Sequence, residues 1–246
     1  MNLYIRSNNF IELRTIDEET RNLILILPGG GYQRTSPREG IPVCLTYEKE
    51  GYHTAIYHYR ETLLKHPFLA EEGKAFLVQL KQMKCINQIF ILGFSAGGHF
   101  ACHLAELYPD MIDGTILAYP VITSDPRFAH HDSVRRLMGE PLTPEKLDTF
   151  SLEKHVSRQM KPIFIWHTMD DVVVPVENTL FLLSALRDKG IQVECHLYPK
   201  GQHGLSLATQ ETSFEDMDPI LFEQSNKDVA SWVSLSKTFL KGLEND

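Results

Sequence analysis

The sequence predicts an α/β fold: a mostly parallel central sheet with helices on both faces and a small helical cap inserted at about residues 123–160. Three observations point there. Short, wholly apolar runs recur along the chain and alternate with segments of helical periodicity. Glycine-rich turns follow two of those runs directly. The composition, 43% hydrophobic and 23% charged over 246 residues, is that of an ordinary globular chain, of a size that one open α/β domain spanning 1–246 would fill.

The elements follow in order. Leu23 to Leu27 is apolar throughout and ends at Pro28 and three glycines, the pattern of a strand buried on both faces. Thr54 to Tyr57 reads as a strand after the turn residue Gly51. Ala70 to Met83 carries a helical stripe through Ala75, Phe76, Val78, Leu80 and Met83. Ile89 to Leu92 is the next strand, and it runs into Gly93-Phe94-Ser95-Ala96-Gly97-Gly98. His99 to Leu107 reads as a helix ended by Pro109. Gly114 to Tyr119 and Ile163 to Trp166 are strands, and the helix Thr179 to Lys189 stops at Gly190, suited to a left-handed helix end. Gln192 to Tyr198 is the last strand, and Asn226 to Leu243 the last helix. Between Thr123 and Met160 the rhythm breaks into a stretch rich in Pro, His, Asp, Arg and Glu, too long for a structureless connection and read as the cap.

Charge and composition exclude several classes. A net charge of -8 disfavours a nucleic-acid partner, which requires a basic face. No run approaches the ~18 apolar residues of a spanning helix, and the N-terminus lacks the basic head and apolar run of a signal peptide. A cytoplasmic protein with no membrane partner is the expectation, with homo-oligomerisation left open. The four cysteines, Cys44, Cys85, Cys102 and Cys195, form no CxxC pair and are expected as free, mostly buried thiols.

Chemistry concentrates at three places. Gly93-Phe94-Ser95-Ala96-Gly97 is a G-x-S-x-G between a predicted strand and a predicted helix, where a nucleophilic serine stands on a sharp turn between small neighbours. Upstream, Leu27-Pro28-Gly29-Gly30-Gly31-Tyr32 follows a buried strand. In acyl transfer the oxyanion of the tetrahedral intermediate needs backbone N–H donors, and glycines let the main chain approach it. Gly30, Gly31 and Ala96 are the expected donors. No Gly-Lys-Ser/Thr follows, so the run is not a Walker loop, and the G-x-G-x-x-G spacing of a dinucleotide site is absent. A serine also needs a base, and the base an orienting acid, in the chain order Ser, acid, His. Asp170 and Asp171 lie just past one predicted strand, and His203 lies past the last, between Gly201 and Gly204. All these loops are expected at the C-terminal edge of the sheet, where parallel α/β proteins bind ligands.

Other features read as structural. His99 and His103 have the i, i+4 spacing of a zinc site, but Phe100 stands where a catalytic Glu is expected, so no metal is assigned. His130-His131 and Arg135-Arg136 read as a solvated face of the cap that could reach a substrate, and Cys102 as a buried helix residue.

With these residues assembled, the chain resembles the bacterial esterase/lipase branch of the α/β-hydrolases described as acetyl-xylan esterase-like or carbohydrate-esterase-like. The matching stretches are LPGGGYQ with the following REG (38–40), YHYR (57–60), GFSAGGH (93–99), WHTMDDVVVPVENT (166–179) and GQHGLSLA (201–208), in the family's order. In this group the acid sits four residues after the His of an HGxxD-type motif; that His is His167 here, which selects Asp171 over Asp170. Thr168 replaces the motif's Gly, and Pro28 replaces the His of the more general HGGG loop. The resemblance implies an α/β-hydrolase fold and a triad of Ser95, Asp171 and His203. It also implies a cofactor-free carboxylesterase acting on a small-molecule ester with a short acyl group, such as an acetylated sugar or xylo-oligosaccharide. Two alternatives stand beside it. One is a small serine peptidase or acyl-peptide hydrolase of the same fold, whose larger members carry an additional domain. The other is a non-catalytic ligand-binding relative, which typically lacks a triad member, whereas all three positions are filled here.

Overall fold

The computed structural model describes residues 1–244. Its strands are β1 (Asn2–Tyr4), β2 (Phe10–Arg14), β3 (Arg21–Leu27), β4 (His53–His58), β5 (Ile86–Phe94), β6 (Gly114–Ala118), β7 (Ile163–Thr168) and β8 (Val193–Tyr198). They form an eight-stranded sheet in the order β1-β2-β4-β3-β5-β6-β7-β8. From β4 to β8 every neighbouring pair is parallel, while β1 and β2 join antiparallel at one edge. The helices are α1 (Ile41–Glu48), α2 (Phe68–Lys81), α3 (Ala96–Leu107), α4 (His131–Met138), α5 (Pro144–Phe150), α6 (Glu177–Lys189), α7 (Pro219–Ala230) and α8 (Trp232–Leu243).

The apolar runs are continuous because both faces of the sheet are covered. Successive side chains point to opposite faces, so Leu23, Leu25, Leu27, Ile89, Ile91, Ile163 and Ile165 pack with the buried sides of α2, α3 and α6. The intervening Ile24, Ile26, Phe90, Leu92, Phe164 and Trp166 pack with α1, α7 and α8. This is the predicted α/β architecture. Register then positions the site: Leu27 lies opposite Gly93, Phe94 opposite Ala118, and Thr168 opposite Tyr198, so these strands end together along one edge. Gly190 closes α6 in the left-handed conformation, with φ 74°, as its position predicts.

The structure departs from the sequence reading at three points. The β1–β2 pair was not anticipated, although Ile11 and Leu13 are buried between half-buried neighbours in the period-two pattern of an edge strand. Helix α1, with Pro42 in its first turn, was also missed. The single helix expected over Asn226 to Leu243 is two helices. Val229, Trp232, Ser236 and Leu240 stay buried at helical spacing across the junction, so the sequence reads as one helix. At Ser231, however, the hydroxyl donates to the Asp228 carbonyl (2.6 Å), a local bond that competes with the helix ladder. The beginning of α7, immediately after the Asp218 cap that accepts from the amides of Ile220 and Leu221, lies well upstream of the expected start. Within the predicted cap, α4 and α5 pack Val134, Leu137, Met138 and Phe150 onto the α2–α3 side of the core.

Candidate active site

Ser95 occupies the single residue between β5 and α3 and has φ 53° and ψ −118°, a conformation few non-glycine residues adopt. The turn is held by three backbone bonds: Ser95 N–H to Ala118 O (3.0 Å), His99 N–H to Ser95 O (3.1 Å) and Val121 N–H to Ser95 O (3.1 Å). Gly97 is required by close approach. A Cβ there would lie 2.1 Å from Leu27 O and 2.5 Å from Pro28 O, so only glycine lets the first turn of α3 rest on the end of β3.

The structure brings Ser95, His203 and Asp171 into one hydrogen-bonded chain. Ser95 Oγ is 2.8 Å from His203 Nε2, and His203 Nδ1 is 2.6 Å from Asp171 Oδ2. A carboxylate facing Nδ1 fixes the imidazole proton there and leaves Nε2 free to accept from the serine hydroxyl. Asp171 is buried, and its Oδ1 accepts from the amides of Val173 and Val174, both at 2.9 Å. Burial pushes its carboxyl up, but bonds from His167 and His203, the His203 charge and the Val174 amide outweigh that and hold it well below the usual carboxylate range. Asp170, by contrast, is exposed and accepts from the Gly201 amide (2.7 Å), tying the loop after β7 to the one carrying His203. His167 is the motif residue whose role spacing did not reveal. Completely buried, it donates from Nε2 to Val174 O (2.9 Å), with Nε2 lying 3.3 Å from Asp171 Oδ2, which leaves Nδ1 to accept from the Thr179 hydroxyl (2.8 Å).

The amides of the expected oxyanion loop divide cleanly. Gly29 N–H donates to Glu39 Oε2 (2.7 Å), whereas among the described residues the amides of Gly30, Gly31 and Ala96 meet no protein acceptor. Ala96 is the first residue of α3, where a helix leaves its N–H groups unused. Gly30 and Gly31, with Ser95 and His203, line a pocket of about 450 Å³. Its remaining wall is largely polar, with Gln33, Arg34, Ser36, His130, Asp132 and Arg136. Cap helix α4 therefore reaches the site: Arg136 donates to Gly31 O (3.0 Å) and to Asp132 (3.2 Å), and His130 Nδ1 pairs with Ser133 Oγ (2.8 Å). Of the two cap pairs read as a solvated face, His131 and Arg135 are exposed as expected, while His130 and Arg136 are half-buried against the pocket.

Sequence reasoning also missed Arg38, Glu39 and Tyr119. Glu39 is buried beneath the pocket, and its second carboxylate oxygen accepts from Tyr119 OH (2.6 Å). Burial pushes its carboxyl pKa up, disfavouring the charged form, and those bonds from Tyr119 and Gly29 oppose that shift. Arg38 spends its guanidinium on the carbonyls of Gly204, Thr212 and Ser213 and stacks over Phe214 at 3.9 Å. The REG stretch carried the only signal, since a charged dipeptide there has no solvated helix face to occupy.

His99 and His103 do not converge on a common point. His99 bonds Tyr32 OH (2.8 Å) and Phe150 O (3.0 Å), and neither ring nitrogen of buried His103 has a hydrogen-bond partner. Among the described residues no group of three His, Cys, Asp or Glu side chains is placed to hold a metal ion. All four cysteines are free; Cys44 and Cys102 are buried and Cys85 and Cys195 half-buried. No helix of the described residues is long and apolar enough to cross a membrane.

Comparison with known proteins places this site in a family. The chain is 36% identical over 218 residues to an endo-1,4-β-xylanase B of Butyrivibrio fibrisolvens, covering 79% of this chain and 34% of the relative. It is 29% identical over 225 residues to an acetylxylan esterase of Xylanibacter ruminicola, covering 85% and 45%. The chain thus spans between a third and a half of the length of these two curated relatives. Among solved structures, an acetyl ester-xyloside bifunctional hydrolase from Caldicellulosiruptor lactoaceticus is 31% identical, with a TM-score of 0.76 over 92% of this chain and 89% of that one. A sugar hydrolase from Lactococcus lactis is 28% identical, with a TM-score of 0.83 over 99% of both. The model of the prolyl oligopeptidase family matches residues 72–222, which include the serine turn, the buried aspartate and the histidine loop, and the chain is a member of that family, with the α/β-hydrolase fold.

Proposed function

We propose that this protein is a serine carboxylesterase that hydrolyses short-chain acyl esters, acetyl esters of sugars or xylo-oligosaccharides first among them. One observation carries the reading: Ser95 Oγ, His203 and Asp171 are linked at 2.8 and 2.6 Å, the spacing a nucleophile, its base and an orienting acid require. Ser95 Oγ attacks the ester carbonyl as His203 Nε2 takes its proton. The oxyanion is held by the free amides of Gly30, Gly31 and Ala96. The imidazolium, stabilised by Asp171, returns the proton to the departing alcohol and leaves an acyl-serine. Water then enters by the same path, its proton going to His203, and the carboxylic acid departs as Ser95 Oγ recovers its hydrogen. No cofactor enters the scheme.

The substrate class rests on different support. Three of the relatives above are named for acetyl-ester or xylan chemistry and a fourth as a sugar hydrolase, and the polar pocket wall suits a hydroxylated alcohol portion better than a long acyl chain. We further read residues 1–246 as one domain with the 123–160 segment as a cap over the pocket. A second reading, an acyl-peptide hydrolase, is favoured by 26% identity over 139 residues to an acylamino-acid-releasing enzyme of Rattus norvegicus, which covers 51% of this chain. Hydrolysis of p-nitrophenyl esters from acetate to decanoate, acetylated xylo-oligosaccharides and an N-acetyl-amino-acid amide tests both, with Ser95→Ala as control. Turnover peaking at acetate, including the sugar esters and abolished in Ser95→Ala, is expected. Preference for the amide would select the second reading, and full turnover by Ser95→Ala would refute both.

A further inference from the structure

Two loops must be held in mutual register for acyl transfer: the one carrying the oxyanion amides and the one carrying the base. They leave different strands, β3 and β8, and nothing local connects them. The dipeptide Arg38-Glu39 touches both. On one side, Glu39 Oε2 accepts the Gly29 amide (2.7 Å), the peptide unit immediately before Gly30. On the other, Glu39 Oε1 accepts from Tyr119 OH (2.6 Å), and the same Tyr119 oxygen accepts the Ser206 amide (3.0 Å), three residues past His203. Arg38 completes the tie, its guanidinium donating to Gly204 O (3.0 Å) and its own carbonyl accepting from Ser206 Oγ (2.8 Å). The Tyr119 ring stands 5.0 Å from the His203 ring at 69°, so it also limits the imidazole's tilt. Ser95, Tyr119 and Ser206, all non-glycine, adopt positive φ (53°, 38° and 54°), and this backbone persists only where the surroundings over-determine it.

We infer that Glu39 is a positioning residue for acyl transfer, its carboxylate setting the distance between the oxyanion amides and His203 through Gly29 on one side and Tyr119–Ser206 on the other. The inference rests on the esterase reading above. Two-sided acceptance needs a carboxylate. An amide has one acceptor oxygen, so glutamine at 39 keeps either the Gly29 bond or the Tyr119 bond as acceptor, never both. The loss falls on alignment in the transition state and leaves the polar walls that bind substrate in place, so it reduces kcat and spares KM.

The test compares Glu39→Gln, Tyr119→Phe and the double variant, with kcat expressed per active serine counted by titration with a phosphonate ester, and Ser95→Ala as reference. Glu39→Gln is expected to lower kcat per titrated site about 10- to 100-fold, with KM within about twofold. Tyr119→Phe, which keeps the Gly29 bond, is expected to lower it less, and the double variant to match Glu39→Gln alone, because both act through one chain of bonds. Wild-type kcat per titrated site in Glu39→Gln, or losses that multiply in the double variant, would overturn the inference. Should Glu39→Gln fail to fold, Tyr119→Phe decides: an unchanged kcat per site and pH profile would overturn it. If Ser95→Ala retained turnover, the esterase reading itself would fall; a dead Ser95→Ala beside a wild-type Glu39→Gln removes only the positioning role.

Discussion

Replacing Gly97 with alanine probes the junction on which the serine turn is built. The new Cβ would sit 2.1 Å from Leu27 O and 2.5 Å from Pro28 O. Both obstructing atoms are backbone, so neither can rotate away. Restoring an ordinary contact of ~3.4 Å requires the first turn of α3 and the end of β3 to separate by roughly 1.3 Å. Alanine in a helix is favoured over glycine by up to about 1 kcal/mol, while overpacking of this kind costs about 1–3 kcal/mol, so a net destabilisation of about 0–2 kcal/mol is expected. Activity should suffer more. The separation moves Ser95 away from the Gly30 and Gly31 amides, and a displacement near 1 Å is worth about 100-fold in rate. The assay is p-nitrophenyl acetate hydrolysis per titrated serine, beside urea unfolding. A variant with kcat within twofold of wild type and an unchanged unfolding midpoint would refute the close-approach argument.

Other perturbations have equally definite outcomes. Asp171→Asn should lower kcat by about 10⁴-fold, because an amide donor facing Nδ1 moves the imidazole proton to Nε2, where it cannot accept from Ser95; a loss below tenfold would contradict the tautomer argument. His103→Leu tests the buried, unbonded imidazole, which burial, with smaller contributions from His99, His66 and His155, pushes down to about 3. A histidine depressed in the folded state takes up its proton first in the unfolded chain, near pH 6.5, so its cost to stability appears as pH falls below that value and grows toward the folded value. The variant's stability relative to wild type should therefore rise by about 1.4 kcal/mol per pH unit between roughly pH 6.5 and 4, and parallel pH curves from urea midpoints would refute it. Arg38→Lys should loosen the loop after His203, since one ammonium cannot serve the carbonyls of Gly204, Thr212 and Ser213 together. Amide exchange over 204–214 should accelerate, and unchanged protection would deny Arg38 that role.

Much of this protein is legible along the chain because the signals are local. Leu23 to Leu27 and Ile89 to Leu92 declare strands buried on both faces, and Gly93-Phe94-Ser95-Ala96-Gly97 declares a strand-to-helix turn whose glycines answer contacts a few ångströms away. The order of Ser95, the acidic pair and His203 follows from the same reading, and the family resemblance chose Asp171. What separates Asp171 from Asp170 physically is tertiary: one carboxylate is buried against His203 and His167, the other turns outward to the Gly201 amide. The same holds for Glu39 and Tyr119, which lie 80 residues apart and meet only because β6 ends beside β5 and the loop after β3 folds back over both. The inward turn of His130 and Arg136, with His131 and Arg135 facing solvent, was decided by how α4 packs its buried side on the core. Periodicity and turn chemistry report what a residue's neighbours in sequence impose. Partners for a buried polar group are set by where the chain returns, and desolvation makes those distant partners, rather than local propensity, decide the conformation kept.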